Sequence, residues 1–169
     1  PWWFPDFYRV VTERYPEARE HLEASLSLAS EIGARGTEVR AVAELAALLS
    51  AIAEVPLRQD IAVTGAVNQQ GVIQPVGGIH EKVQGFFHAC EARGLTGRQG
   101  VIVPARNSEA VILPDKVIEA IEQRKFHIWA ADNINQVMTQ LTGIRAGKER
   151  RSGRFEAHSI NEKVRKGLA

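Results

Sequence analysis

Lys82 is the residue of this chain that is best placed for acid–base chemistry. It follows the break Gly77-Gly78 and falls on the first turn of a predicted helix. A lysine acts as a base only when its surroundings lower the pKa of its ammonium group. The positive end of a helix dipole lowers that pKa, and so does burial beside Val76, Ile79 and Phe86. The sequence therefore predicts a general base at Lys82 that needs a nucleophile as its partner.

Other sequence signatures of catalysis or ligand binding are absent. The chain has no Gly-x-x-x-x-Gly-Lys-Ser/Thr, no Gly-x-Gly-x-x-Gly and no His-Glu-x-x-His. Its histidines, among them His80, His88 and His127, fall in no metal-ligand spacing, so we expect no metal and no cofactor in this domain. The single Cys90 cannot form an internal disulfide, and in its apolar surroundings we expect it to be packed rather than reactive.

Length and composition are those of one soluble domain with a sizeable core. The chain has 169 residues, of which 44% are hydrophobic and 24% charged, and its net charge is +1. This balance does not favour nucleic acid or a membrane surface as a partner. No apolar run approaches the ~18 residues of a membrane span, and no signal peptide is visible, so we expect a cytoplasmic protein. The chain lacks an initiator methionine, which predicts a piece of a longer protein.

The elements that must position Lys82 alternate between helix and strand. A mixed α/β sheet is predicted, because one pair of strands forms a hairpin and the others are separated by helices. In chain order we predict a helix over 40–54 stopped by Pro56, strands over 61–67 and 72–76 joined by a turn at 68–71, a helix from about 80 to 93, a strand over 100–104, a helix over 117–123, a strand over 126–130, and a final helix over 134–141 ending at Gly143.

Three regions are predicted along the chain. Residues 1–30 form an aromatic and helical lead-in, with a helix from about 16 giving way to a strand near Ala24. Residues 31–143 form the core domain, beginning with a loop over 33–39. Residues 144–169 form a basic tail with eight Lys or Arg against three Glu, a surplus of five positive charges. We expect this tail to be a solvated end, with contact to an acidic partner or nucleic acid as the alternative.

Several specific runs in the core occur together and in a fixed order. They are Pro56 to Gly65, Val67-Asn68-Gln69, Gln74-Pro75-Val76-Gly77-Gly78, Glu81-Lys82, Gly94-Leu95-Thr96-Gly97, Gln99 to Pro104 and Leu141-Thr142-Gly143. From Leu57 to Gly143 the chain thereby resembles the proteolytic domain of Lon-type ATP-dependent proteases, most closely the Lon B-like branch. Ala43-Glu44-Leu45 and Leu48 to Ala51 extend the resemblance into the preceding helix.

The resemblance implies a serine endopeptidase with a Ser/Lys dyad. Lys82 falls on the catalytic lysine of the family, and Thr64 falls on a threonine whose hydroxyl helps to hold that lysine. It also implies an ATPase domain or subunit, carrying ATP and Mg outside this domain, and assembly into a ring. Its substrates would be unfolded polypeptides, with no membrane partner, and nucleic acid is not expected as a partner.

The nucleophile position departs from the family pattern. The family has its serine in a Gly-Asp-Ser-Ala-Ser-like loop, where this chain reads Thr37-Glu38-Val39-Arg40-Ala41. Val39 takes the place of the serine, and valine offers neither a transferable proton nor a lone pair. Loss of the nucleophile costs about 10⁶ in turnover in a studied serine protease. We therefore expect weak activity or none.

Alternatives to a degenerate site stay open. A gapped alignment would promote Thr37, and the site could be altered relative to a natural sequence, although the neighbours of Val39 have changed as well. A second function class is a Lon-like scaffold or peptide-binding module that does not cut. A third is a Lon-like domain attached to a DNA-repair or DNA-uptake ATPase, which the basic tail mildly favours and the intact run from Gly77 to Lys82 argues against.

Overall fold

The computed structural model describes the backbone of residues 37–68 and 70–168, and their side chains from Val42 onward except Ala110. The aromatic cluster, helix and strand predicted within residues 1–30 lie outside the described residues. The described elements, in chain order, are α1 (Thr37–Ala53), β1 (Ile61–Val63), β2 (Ala66–Val67), β3 (Ile73–Gln74), α2 (Ile79–Ala92), β4 (Gly100–Pro104), a 3₁₀ turn (Ala105–Ala110), α3 (Asp115–Glu122), β5 (His127–Ala131), α4 (Ile134–Thr142) and α5 (Ile160–Gly167).

A parallel sheet and a separate hairpin make up the strands. The three-stranded sheet has the order β1-β4-β5, with Ile61 opposite Gly100 and Gly100 opposite His127. The hairpin pairs β2 with β3 in antiparallel register, Ala66 opposite Gln74. This confirms the α/β class with a hairpin and packed helices. The hairpin forms its own sheet, because the strand predicted over 61–67 is interrupted at Gly65, where φ is 147°.

The parallel sheet is covered on both faces. Its central strand β4 is buried at every residue, as expected for a strand between two layers. Ile102 packs with Ile61 and with residues of α1, α4 and α5 in one cluster. Val101 and Val103 pack with residues of α2 and α3 in the other cluster, here called the α2 cluster. The sheet is thus the middle of three layers, with α1 and α2 on opposite faces.

The first helix and the last helix differ from the predictions. α1 begins at Thr37, so the loop predicted over 33–39 is wrong for its last residues. α4 ends at Gly143, as predicted, and Gly143 is in the left-handed conformation, but α4 is not the final helix. Helix α5 packs against α1, and Ile160 at its start is only 1% exposed. The segment from Ser159 to Gly167 is therefore packed on the fold, where the sequence predicts a solvated end.

A capping signal marks α5 in the sequence. The Ser159 hydroxyl accepts a hydrogen bond of 3.2 Å from the Glu162 N–H, in the Ser-x-x-Glu arrangement that begins many helices. At the other end, a Cβ on Gly167 would collide with the Ile52 carbonyl of α1, so glycine permits the close approach of the two helices. Among the described residues, none of the helices is long and apolar enough to cross a membrane.

Candidate active site

The carboxyl ends of the parallel strands bring the candidate residues to one edge of the sheet. Thr64 follows β1, Asn107 lies in the 3₁₀ turn after β4, and Asp132 follows β5. In open α/β sheets, ligands bind outside the carboxyl ends of the strands. The hairpin and the first half of α1 lie at the same edge, and α2 begins three residues after Val76, which Asn107 holds there.

Thr64 carries a buried hydroxyl without a partner. Its N–H donates a hydrogen bond of 3.0 Å to the Ile102 carbonyl, which extends the β1–β4 ladder by one residue. Since side chains alternate along a strand, Thr64 lies on the face of Ala62, which packs with the α2 cluster. The residue is 4% exposed, and its Oγ1 has no hydrogen-bond partner within the described part of the chain. A buried orphan hydroxyl is unfavourable and is a sign of a functional site.

Gly65 brings the beginning of α1 against this edge. A Cβ placed at Gly65 would lie 3.0 Å from the Ile73 Cγ2, 3.3 Å from the Pro104 Cγ and 3.6 Å from the Val42 Cγ2. The hairpin, the end of β4 and the first half of α1 therefore converge beside Thr64. Only glycine fits this narrow space with a φ of 147°.

Val39, the position of the family's nucleophile, lies in α1. It precedes Val42 by three residues, which is about 4.5 Å along a helix axis. The backbone of Val39 is thus about one turn from the residue that contacts Gly65. This places the position near the edge, although the side chains of residues 37–41 are outside the described set.

Lys82 lies on the first turn of α2, as predicted. Its N–H donates a hydrogen bond of 3.2 Å to the carbonyl of Gly78, the N-cap residue, whose φ is 64°. Lys82 is half-buried and lies three residues after buried Ile79 and four before buried Phe86, on the flank of the buried face of α2. Val76, Ile79 and Phe86, the apolar neighbours expected from the sequence, all belong to the α2 cluster.

The sequence patterns assign no role to Asn107. Its side-chain Oδ1 accepts a hydrogen bond of 2.9 Å from the Val76 N–H, and its Nδ2 donates one of 3.1 Å to the Val76 carbonyl. Nothing in the local spacing reveals this contact, because the two residues are 31 positions apart. A polar residue just beyond a buried strand was the only available signal.

Two pKa shifts in the described part of the chain lie away from this edge. At the amino end of the sheet, a bidentate hydrogen bond from Arg58 holds the pKa of Asp60 below its usual value. In α2, burial raises the pKa of the Cys90 thiol to about 11, which keeps the thiolate scarce at neutral pH and suits a packed cysteine. No group of three or more His, Cys, Asp or Glu that could hold a metal ion occurs among residues 37–68 and 70–168.

Comparison with known proteins points to one family. Residues 37–143 match the family model of the Lon protease (S16) C-terminal proteolytic domain. A putative Lon protease homolog of Escherichia coli K12 is 40% identical over 135 residues, covering 80% of this chain and 23% of the relative. A putative Lon protease homolog of Haemophilus influenzae is 38% identical over 120 residues, covering 71% of this chain and 20% of the relative.

An archaeal relative shares a shorter region. The archaeal Lon protease of Pyrococcus abyssi is 34% identical over 93 residues, covering 54% of this chain and 8% of the relative. The chain thus spans less than a quarter of the length of each of these three relatives.

Proposed function

The chain belongs to the family of Lon protease (S16) C-terminal proteolytic domains, and from that premise we propose that it is a Lon-type peptidase domain that keeps the base half of a Ser/Lys dyad without its nucleophile. Lys82 is the base, Thr64 supports it, and Val39 occupies the place of the serine. With this residue in place, the chain does not hydrolyse peptides through the dyad.

The orphan hydroxyl of Thr64 is the observation that carries the proposal. It is buried, and by the alternation of side chains along the strand it lies on the sheet face covered by α2, the helix that presents Lys82 on its first turn. A threonine hydroxyl has one donor and two acceptor lone pairs, so it can accept from a lysine ammonium and donate to a neutral amine. A hydroxyl that can hydrogen-bond to both the ammonium and the neutral amine suits a lysine that exchanges a proton.

The missing step is the transfer of a proton from a nucleophile. In a complete dyad the Lys82 amine takes the proton of a serine hydroxyl, and the oxygen forms a bond to the peptide carbonyl. The leaving amine then accepts a proton, and water releases the acyl group. The methyl groups of Val39 have no proton to give to the Lys82 amine and no oxygen to bond to the peptide carbonyl. A domain of this kind can still bind an extended polypeptide.

The wider context of this domain is also part of the proposal. Unfolded polypeptide is the substrate class, fed by an ATPase domain or subunit that binds ATP and Mg, and the domain works in a cytoplasmic ring. The names of the relatives support the protease part of this proposal, since each is called a Lon protease or a homolog of one. The chain's share of their length leaves room for such an ATPase region.

Restoration of the nucleophile tests the proposal. The variant Val39→Ser, with Arg40→Ala to recover the small neighbour, is compared with the same variant carrying Lys82→Ala in a fluorogenic peptide assay. We expect hydrolysis in the first and at least a hundredfold less in the second, because a positioned general base typically contributes about 10²–10⁴-fold. Equal hydrolysis by both would refute Lys82 as the base, and no hydrolysis in either would refute a retained base half.

A further inference from the structure

Asn107 holds the chain segment that leads into α2. Its side-chain amide bonds both the N–H and the carbonyl of Val76, at 2.9 and 3.1 Å. An amide side chain presents the same donor and acceptor as a peptide unit. Asn107 therefore supplies the two hydrogen bonds that a neighbouring strand would otherwise give to Val76.

The segment between β3 and α2 depends on this replacement. β3 ends at Gln74, and Pro75 has no N–H to donate to a neighbouring strand. Val76 is 7% exposed, so water cannot reliably satisfy its backbone groups. Removing the amide would leave two buried backbone groups unpaired, which is unfavourable.

The positions of Thr64 and of Lys82 both depend on the central strand β4. The Ile102 carbonyl accepts the N–H of Thr64, which fixes the hydroxyl at the edge of the sheet. Asn107, in the 3₁₀ turn directly after β4, fixes Val76. From Val76 the chain passes through Gly77 to Gly78, whose carbonyl accepts the N–H of Lys82.

We propose that Asn107 is a positioning residue that keeps Lys82 in register with Thr64 by clamping Val76 to the end of β4. The inference rests on the proposed function, because it assigns Asn107 to the support of the same base. With the clamp removed, the start of α2 shifts and the Lys82 amine loses the environment that favours its neutral form.

The pH dependence of Lys82 acylation tests this role. Competitive labelling of the intact chain with acetic anhydride, read residue by residue by mass spectrometry, gives the midpoint at which Lys82 becomes reactive. The midpoint reports the pKa of the amine and is independent of how exposed the amine is. For the native chain we expect a midpoint below the ordinary lysine value of about 10.4.

The variant Asn107→Leu removes both hydrogen bonds at similar volume. We expect its Lys82 midpoint to rise towards the ordinary value by at least one pH unit, a tenfold smaller neutral fraction at neutral pH. If Asn107→Leu does not fold, the smaller Asn107→Ser takes its place. Folding of every variant is checked by thermal unfolding.

Asn161→Leu is the matched control. Asn161 also donates from its Nδ2 to a backbone carbonyl, that of Gly147 at 3.1 Å, but it lies in the segment around α5. We expect this variant to lower the melting temperature and to leave the Lys82 midpoint unchanged, so that a shift in Asn107→Leu alone supports positioning.

Two contrary results are distinguishable. If the native midpoint is low and Asn107→Leu leaves it there, Asn107 only stabilises the fold and the inference is overturned while the proposed base stands. If the native midpoint is that of an ordinary lysine, the proposed base itself is refuted, and the positioning role falls with it.

Discussion

The two ends of the parallel sheet are built differently. At the amino end, Asp60 accepts two hydrogen bonds from Arg58, at 2.9 and 2.8 Å, and lies 3.5 Å from the Arg98 guanidinium. Arg58 also donates to the Arg98 carbonyl at 2.9 Å, so the groups interlock. At the carboxyl end, the buried hydroxyl of Thr64 has no partner among the described residues.

This difference separates a stabilising end from a functional one. The paired charges of Arg58, Asp60 and Arg98 link the residues before β1 to the loop before β4. Groups that are paired in this way are not available for catalysis. A buried polar group without a partner lowers stability, and such groups persist where function requires them. Substitutions at the two ends should therefore differ in their effect on stability.

The substitution Gly65→Ala should have the largest effect, at the carboxyl end. The added methyl would lie 3.0 Å from the Ile73 Cγ2 at a φ of 147°, which combines overpacking with backbone strain. We expect a loss of about 3 kcal/mol in the free energy of unfolding, measured by urea denaturation. Gly77→Ala is the control, since a Cβ there meets nothing within 4 Å. Equal losses in the two variants would contradict the close packing beside Thr64.

At the amino end, Asp60→Asn removes the charge and keeps the shape. We expect a loss of about 1–2 kcal/mol at neutral pH, because the partly buried bidentate pair is broken. The Lys82 acylation midpoint should stay where it is, since Asp60 lies at the opposite end of the sheet. A shifted midpoint would show that the two ends are not separate.

The same pair predicts a pH dependence. The folded pKa of Asp60 lies below its ordinary value of 3.8, so the unfolded chain binds the proton more tightly. The stability that this group contributes is therefore fully present above pH 3.8 and is lost as the pH falls through the folded pKa. Chemical denaturation at several acidic pH values should show this loss in the native chain and a smaller one in Asp60→Asn.

The smallest effect on stability should come from Thr64→Val. Valine has nearly the shape of threonine and removes an unpaired hydroxyl, so we expect stability unchanged or raised by up to about 1 kcal/mol. Ser50→Ala is the contrasting variant, because the buried Ser50 hydroxyl donates to the Val55 carbonyl at 2.5 Å. We expect that variant to lose about 1–2 kcal/mol. A comparable loss in Thr64→Val would mean that its hydroxyl is satisfied and would remove the main support for the site.

Sequence patterns predicted most of the fold because its elements are locally marked. Gly77-Gly78 predicts the start of α2, and Gly143 predicts the end of α4. The five apolar residues ending at Pro104 predict β4. The interruption at Gly65 depends on packing between the hairpin and β4, which no local pattern contains. Helix α5 is not predicted, because its residues are mostly polar, although Ser159 and Glu162 form a capping signal in the sequence.

The candidate site was predictable only in part. The position of Lys82 follows from local spacing and was confirmed as the first turn of a helix. The roles of Lys82, Thr64 and Val39 stay predictions. The clamp by Asn107 joins residues far apart in the chain, and only the folded backbone reveals it.

The most direct test of the proposed site is the peptidase activity of the native chain itself. A fluorogenic peptide is incubated with the chain at high concentration, beside the variant Lys82→Ala at the same concentration. With valine at position 39, we expect the same background rate from both proteins, because no nucleophile is available for the base to activate. Turnover by the native chain that Lys82→Ala abolishes would contradict a centre that has lost its nucleophile.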